Sequence, residues 1–329
     1  MNPRILVTGG SGLLGSYLLR YFLQHGYSNL TATYQADEKV IPFDLRDSVT
    51  WKRLRLPDIP DAYEVLHEQD WVIHSAGLVS YFKEDKFRLL EVNQRGTEHI
   101  VNACLAHQVK HLVYIGSIGA LGKEKNNVTL DESTDWIENQ FSTSYGLSKY
   151  LGELEVWRGA SEGLPVSVIL PSVILGTGDW SRSSLQLIDR VAKKSPWYPG
   201  GQTGFVDVRD IVLFVARLLE KSNSGQRWIL SGGDLSYKDI YNRIASALSL
   251  QRNFRLAPRR LASLQLLGSN ILSGRFSTPD ILHQVYGTFS YDASKSRAVE
   301  GFPYRNMDET IREVAASYLK SEGQEMLLF

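Results

Sequence analysis

The sequence holds a single cysteine, Cys104, so no internal disulfide framework can staple the fold. Cys104 lies in an apolar helical pattern, where a buried structural thiol is expected rather than a nucleophile. Neither sign of charge is in excess: 36 basic side chains balance 36 acidic ones. The chain therefore lacks the electrostatic footprint of a nucleic-acid or anionic-membrane binder. No apolar run reaches the roughly 20 residues that a membrane span requires. The nearest, "LASLQLLGSNILSG" from Leu261, is broken by Gln265, Ser269, Asn270 and Gly274 and reads as a buried or amphipathic helix. The seven histidines are scattered, and no metal-ligand cluster is expected, since His107 and His111 fall on either side of a helix–strand boundary. No signal peptide is visible, because "MNPRILVTGG" runs straight into a strand pattern; a cytoplasmic location is expected.

What is there is alternation. Strand-like runs at Arg4–Gly9, Asn29–Gln35, Lys39–Asp44, Asp70–Gly77, Val109–Ser117 and Leu164–Pro171 are separated by helical patterns. The helices run from Gly12 to about Gln24, over Asp61–Gln69, from Lys86 to about His107, and from Ser142 to about Ser161. Such β–α alternation, with continuously apolar runs such as "VSVIL", predicts a parallel sheet covered by helices on both faces. The 329 residues allow one large or two modest domains. After Pro171 the chain turns loop-rich. We therefore expect a first domain over 1–171 with a returning segment near 209–233, and a discontinuous second domain over 172–208 and 234–329.

The first strand runs into "TGGSGLLG", with Gly9, Gly12 and Gly15 at fixed offsets before an amphipathic helix. Glycines permit a tight turn and let the backbone approach a pyrophosphate, which the helix N-terminus then attracts. The second strand ends in "TATYQADEK", where an acid would take an adenosine ribose diol. Tyr34 and Gln35 are not acids, and no arginine stands there for a 2′-phosphate; Lys39 is available for it, and Asp37 or Glu38 for the 2′-hydroxyl. NADP is preferred to NAD on this reading. Asp44, in "FDLRD", is placed to cap an adenine amino group or to serve as a turn aspartate.

In "STSYGLSKYLGE", Tyr145 stands four residues before Lys149, so a helix puts both on one face. Taken alone, the pair fits a half-buried tyrosine beside a solvated lysine. A phenol ionises near pH 10, and a cation within about 4–6 Å lowers that value. Lys149 is thus expected to make Tyr145 a usable proton donor and acceptor.

Together these segments resemble an extended short-chain dehydrogenase/reductase, over almost the whole length. The segments are "TGGSGLLG", "DWVIHSAG", "EVNQRGTEHIVNAC", "LVYIGSIGALG", "YGLSK" and "LPVSVILPSVILGTG". The nearest likeness is to dihydroflavonol reductases and 3β-hydroxysteroid dehydrogenases, with nucleotide-sugar epimerases second. One departure is Leu170, where an arginine commonly precedes the proline. The resemblance implies an α/β fold with a Rossmann-type, doubly wound parallel sheet and a smaller, mostly helical C-terminal substrate domain. It implies a catalytic set of Ser117, Tyr145, Lys149 and Asn93, with Asn93 supporting Lys149 through a water. Cofactor contacts would come from the turn residues Gly9, Ser11, Gly12, Leu13, Leu14 and Gly15, and from Tyr34, Gln35, Asp44 and Leu45. Ser75, Ala76, Gly77, Tyr145, Lys149, Pro171 and Val173 would complete them. The expected reaction is hydride transfer between NADP or NAD and a carbonyl or hydroxyl of a small or medium apolar substrate.

The alternatives are a nucleotide-sugar epimerase with tightly held NAD, and a non-catalytic dinucleotide-binding regulator. A dehydratase is disfavoured, because Ile118 and Gly119 follow Ser117 where an acidic pair is usual. A diphosphate partner would need cations such as Arg182, Arg209, Arg255, Arg259, Arg260 or Arg275, while Trp180, Trp197 and Tyr198 suit an apolar ring. No metal, nucleic-acid or membrane partner is expected. A homodimer through the helices near 86–107 and 142–161 is expected, with Leu151, Leu154 and Trp157 as interface candidates.

Overall fold

Seven short runs, mostly rich in β-branched, leucine and aromatic residues, form one parallel sheet. In chain order they are β1 (Ile5–Thr8), β2 (Leu30–Tyr34), β3 (Thr50–Arg53), β4 (Trp71–His74), β5 (His111–Ile115), β6 (Val166–Pro171) and β7 (Gln226–Leu230). Across the sheet the order is β7-β6-β5-β4-β1-β2-β3. Every residue of β1, β5 and β6 is buried, as strands covered on both faces require. Each buried Val, Ile or Leu there contributes roughly 1.5–3 kcal/mol. The strand order reverses between β1 and β4, which leaves a crevice at their carboxyl ends. The computed structural model describes residues 2–35, 37–181, 183–193, 196–260, 262–263 and 280–326.

Two expectations are corrected. Lys39–Asp44 is not the third strand: Glu38–Val40 and Phe43–Leu45 are single 3₁₀ turns, and β3 lies beyond them at Thr50–Arg53. The apolar residues of "KVIPFDL" misled because Pro42 removes a ladder donor, whereas "TWKR" carries a β-branched and an aromatic residue beside β2. The long helix near 86–107 is interrupted: Lys86–Leu90 and Gly96–Ala106 are α-helical, and Glu91–Arg95 between them is a wider π-turn centred on Asn93. The helix carrying Tyr145 begins at Ser144 and runs to Ser161, capped by the Thr143 side chain accepting from Gly146 N. It packs so closely on its neighbour that a Cβ at Gly152 would stand 2.4 Å from the Asn93 carbonyl oxygen.

The returning segment is part of this sheet's structure. Helix Val208–Glu220 packs its apolar face into the core beneath β1, and β7 pairs with β6. A separate core gathers Leu175, Ile188, Phe205, Tyr241, Ile244, Met307 and Val314, around a small sheet of Val173–Leu175, Gln202–Asp207 and Gly233–Ser236. The helix expected over Arg259–Leu272 lies almost wholly outside the described residues, as do Arg182 and Arg275. Among the described residues no helix is long and apolar enough to cross a membrane, and no cluster of metal-ligating side chains occurs.

Burial sets one pH dependence of the fold. His111, on β5, donates from Nε2 to Ser167 Oγ at 2.7 Å, and Ser167 donates on to the Asn223 carbonyl at 2.7 Å. Desolvation pushes the imidazole down to about 4. Below pH 6.5 the unfolded chain therefore takes up a proton that the folded chain declines, and stability is lost as pH falls from 6.5 towards 4. His111→Gln should flatten the slope of unfolding free energy over that window by close to one proton, about 1.4 kcal/mol per pH unit. Urea midpoints measured across the window test this; an unchanged slope contradicts it.

Candidate active site

The glycine turn is a bare backbone cradle. Gly9 has φ +69°, which a side chain disfavours, and a Cβ at Gly15 would lie 2.3 Å from the Gly9 carbonyl oxygen. Gly12 precedes helix Leu13–Gln24 with no side-chain cap, so the first N–H groups face outward. Gly9 N donates to Thr33 Oγ1 at 3.0 Å and Gly10 N to the Thr33 carbonyl at 3.0 Å, fastening the turn to β2. Such a cradle fits a dinucleotide pyrophosphate. Leu13 packs beside Gly176 and Gly178 at the mouth, while Leu14 turns into the core.

The segment after β4 joins this turn to the helix of Tyr145. Ser75 Oγ donates to the Thr8 carbonyl at 2.6 Å, and Ala76 N to Thr8 Oγ1 at 3.1 Å. A Cβ on Gly9 would touch Ala76, and one on Gly77 would stand 3.2 Å from Asn93 Oδ1 and 3.5 Å from Lys149 Nζ. Only the Ser75–Gly77 segment thus separates Lys149 from the glycine turn. Asn93 holds the segment: its Oδ1 accepts from Leu78 N at 2.8 Å, and its Nδ2 donates to the Leu78 carbonyl and to Ser148 Oγ, both at 2.9 Å. The partners of the amide within the protein are Leu78 and Ser148.

Ser117 follows the end of β5. Its Oγ accepts from Gly119 N at 3.0 Å, and the Tyr145 ring flanks the same glycine. Burial raises Tyr145 above the ordinary phenol value, and the nearby Ser117 hydroxyl opposes the rise. This corrects the expectation that Lys149 acidifies Tyr145. The ammonium turns instead into the sheet, donating to the Ile115 carbonyl at 2.7 Å and lying 4.9 Å from the centre of the Tyr114 ring. Burial pulls Lys149 down to about 8, with the Glu153 carboxylate one helical turn further on opposing the shift. The arrangement holds a protonated phenol and a nearby cation at neutral pH, on the strand edge where open α/β sheets take ligands. Pro171 and Val173 lie on the same edge, at the end of β6 and the start of the next strand.

Other candidates fall elsewhere. Asp44 precedes β3 rather than following it, and Arg20 grips its carboxylate at 2.7 and 3.0 Å, holding it below the usual range. Leu45 is buried in the core, and its carbonyl accepts from Trp51 Nε1. Arg209 is committed to Asp207 and Glu313, and Arg259 to His283. Trp180 packs on Tyr318 and donates to Ser321, and Tyr198 packs on Tyr241, so both serve the second core.

Two residues that sequence reasoning passed over are brought beside these segments by the fold. The Tyr81 ring stands edge-on to Tyr145, 6.0 Å between centroids; it follows "SAG" by four positions, and no spacing marks it. Arg53, ending β3, pairs in register with Tyr34, and only the correct strand assignment brings it there.

A seven-stranded parallel sheet with a glycine cradle at its switch point and Ser117, Tyr145 and buried Lys149 beside it defines a dinucleotide-binding oxidoreductase class. The profile of the NAD dependent epimerase/dehydratase family matches residues 5–231, and the chain belongs to that family. It is 24% identical to a putative dihydroflavonol 4-reductase of Synechocystis, over 98% of this chain and 96% of that one. Its fold superposes on the crystal structure of gox2253 with a TM-score of 0.82, at 22% identity, covering 97% of this chain and 99% of the other. The Bordetella bronchiseptica enzyme WbmG in complex with NAD superposes with a TM-score of 0.74, at 19% identity, over 97% and 95% of the two chains. The protein is an NAD(P)-binding enzyme of this family.

Gly15→Ala should leave the far-UV circular dichroism intact and weaken dinucleotide binding by about tenfold or more, because the methyl meets backbone that cannot yield. Fluorescence titration with NADPH and NADH reads it. Wild-type affinity for both would show that the cradle is not the binding site.

Proposed function

We propose that the protein transfers a hydride between a nicotinamide dinucleotide, NADP in preference to NAD, and a carbonyl or hydroxyl of a small or medium apolar substrate, with Tyr145 as general acid/base. The observation that carries this reading is that Ser117 and the Tyr145 ring flank Gly119 together, while Lys149 Nζ lies against Gly77, the segment that also touches the glycine turn. The dinucleotide, when bound, supplies or accepts the hydride. Gly9 to Gly15 hold its pyrophosphate. Ser117 positions the substrate oxygen. Tyr145, kept protonated by burial, donates its proton to that oxygen in reduction and takes it back in oxidation. Lys149 remains charged below about pH 8, one helical turn from the phenol, and is available to a bound ligand's hydroxyls. Tyr81 supplies an aromatic wall beside the reacting oxygen.

The second reading is a nucleotide-sugar epimerase that retains its dinucleotide, favoured by the epimerase/dehydratase profile that the chain matches. A regulator without turnover has less support, since it has no use for a phenol, hydroxyl and ammonium gathered at one strand end. We also propose a homodimer through the helices on either side of Asn93 and Tyr145, where Phe87 is 72% and Leu154 44% exposed. Phe87→Glu together with Leu154→Glu should halve the mass seen by sedimentation; a wild-type chain already monomeric at micromolar concentration excludes the dimer.

Tyr145→Phe should lower kcat by about 10²- to 10⁴-fold while leaving dinucleotide affinity within about twofold. Full turnover by this variant would overturn the acid/base assignment. The two catalytic readings separate on the purified wild type: NAD released only by denaturation supports the epimerase, and reversible binding of added NADPH supports the reductase.

A further inference from the structure

The end of β2 was expected to lack an arginine, and within its own sequence it does. The neighbouring strand provides one. Arg53 is the last residue of β3, stands opposite Tyr34 in the parallel ladder, and donates from Nε to the Gln35 carbonyl at 3.4 Å. That bond turns the guanidinium over the carboxyl end of β2. Arg53 is exposed, and no carboxylate pairs with it among the described residues. The cations on either side are committed: Arg20 to Asp44 and Arg55 to Asp61.

The carboxylates of the same corner are held as well. Glu38 accepts from the Tyr34 hydroxyl at 2.9 Å, and Asp37 accepts from Lys39 N at 2.9 Å, capping its own turn. The Tyr34 phenol is raised chiefly by its bond to Glu38, and the nearby Arg53 charge opposes the rise. The strand end therefore presents a guanidinium with both Nη groups open, and no acid on β2 itself to bind a ribose diol. The glycine turn is fastened to β2 through Thr33, one residue before Tyr34, so the pyrophosphate cradle and Arg53 share one strand edge.

From this geometry we propose that Arg53 is the specificity-determining residue for the 2′-phosphate of NADP, a phosphate monoester on the adenosine ribose, with exposed Lys39 as a second cation from the adjoining turn. The inference rests on the oxidoreductase reading and narrows its cofactor. A guanidinium fork matches phosphate oxygens in a bidentate way that an ammonium does not. Because the site is exposed, its contribution falls as salt rises.

The test is equilibrium binding of NADPH and NADH, by fluorescence titration at low and high salt, with no turnover involved. Wild type should favour NADPH. Arg53→Gln should lose roughly 10- to 100-fold in NADPH affinity, keep NADH affinity within about twofold, and lose the salt dependence of the difference. Arg53→Lys should fall between the two. An unchanged NADPH/NADH ratio in Arg53→Gln, or a wild type that prefers NADH, overturns the assignment and leaves the oxidoreductase reading standing. Failure to bind either dinucleotide overturns both.

Discussion

The site depends on how one carboxamide is satisfied. Asn93 uses its oxygen and nitrogen to close on both backbone groups of Leu78 and then bonds Ser148. These bonds are buried, where an unmade partner costs about 1–3 kcal/mol, so the three elements cannot drift apart cheaply. The loop after β4 lies against the glycine turn on one side and Lys149 on the other. Asn93 thereby sets the spacing between the glycine turn and Lys149. The π-turn around it widens the helix at that point, a feature often found where a helix serves a site.

Electrostatics within the cleft follow from burial more than from pairing. Tyr145 is raised and Lys149 lowered because both lie where charge is poorly solvated. The ammonium finds a carbonyl and an aromatic face rather than a carboxylate. Glu153, the acid further along the same helix, is already shared between Arg227 and Trp157. The phenol and the ammonium are thus held on one face without neutralising each other. A phenol raised above its ordinary value stays protonated at neutral pH. Spacing alone therefore overstates how directly Lys149 acts on Tyr145.

Much of the fold was legible because its signals are local. The strands β1, β4, β5 and β6 are continuous apolar runs, and the glycine spacing before Leu13 has one simple backbone explanation. The failure at Lys39–Asp44 has an equally local cause: apolar side chains at a proline-bearing turn imitate a strand. That error moved Asp44 from one side of β3 to the other and placed it on an adenine, when its partner is Arg20. It also concealed Arg53, because a residue's strand neighbour cannot be inferred until both strands are assigned.

Local chemistry in the chain determined the parallel α/β architecture, the phosphate-type cradle, and the facing of Tyr145 and Lys149, since side-chain period and glycine geometry act over a few residues. The tertiary structure alone decided what each of these groups touches. It gave Lys149 to the Ile115 carbonyl, Asn93 to Leu78, Tyr81 to the Tyr145 ring, and Arg53 to the end of β2. The reason is that hydrogen bonds and desolvation depend on neighbours brought together by sheet order and packing, and most of those neighbours lie far away along the chain.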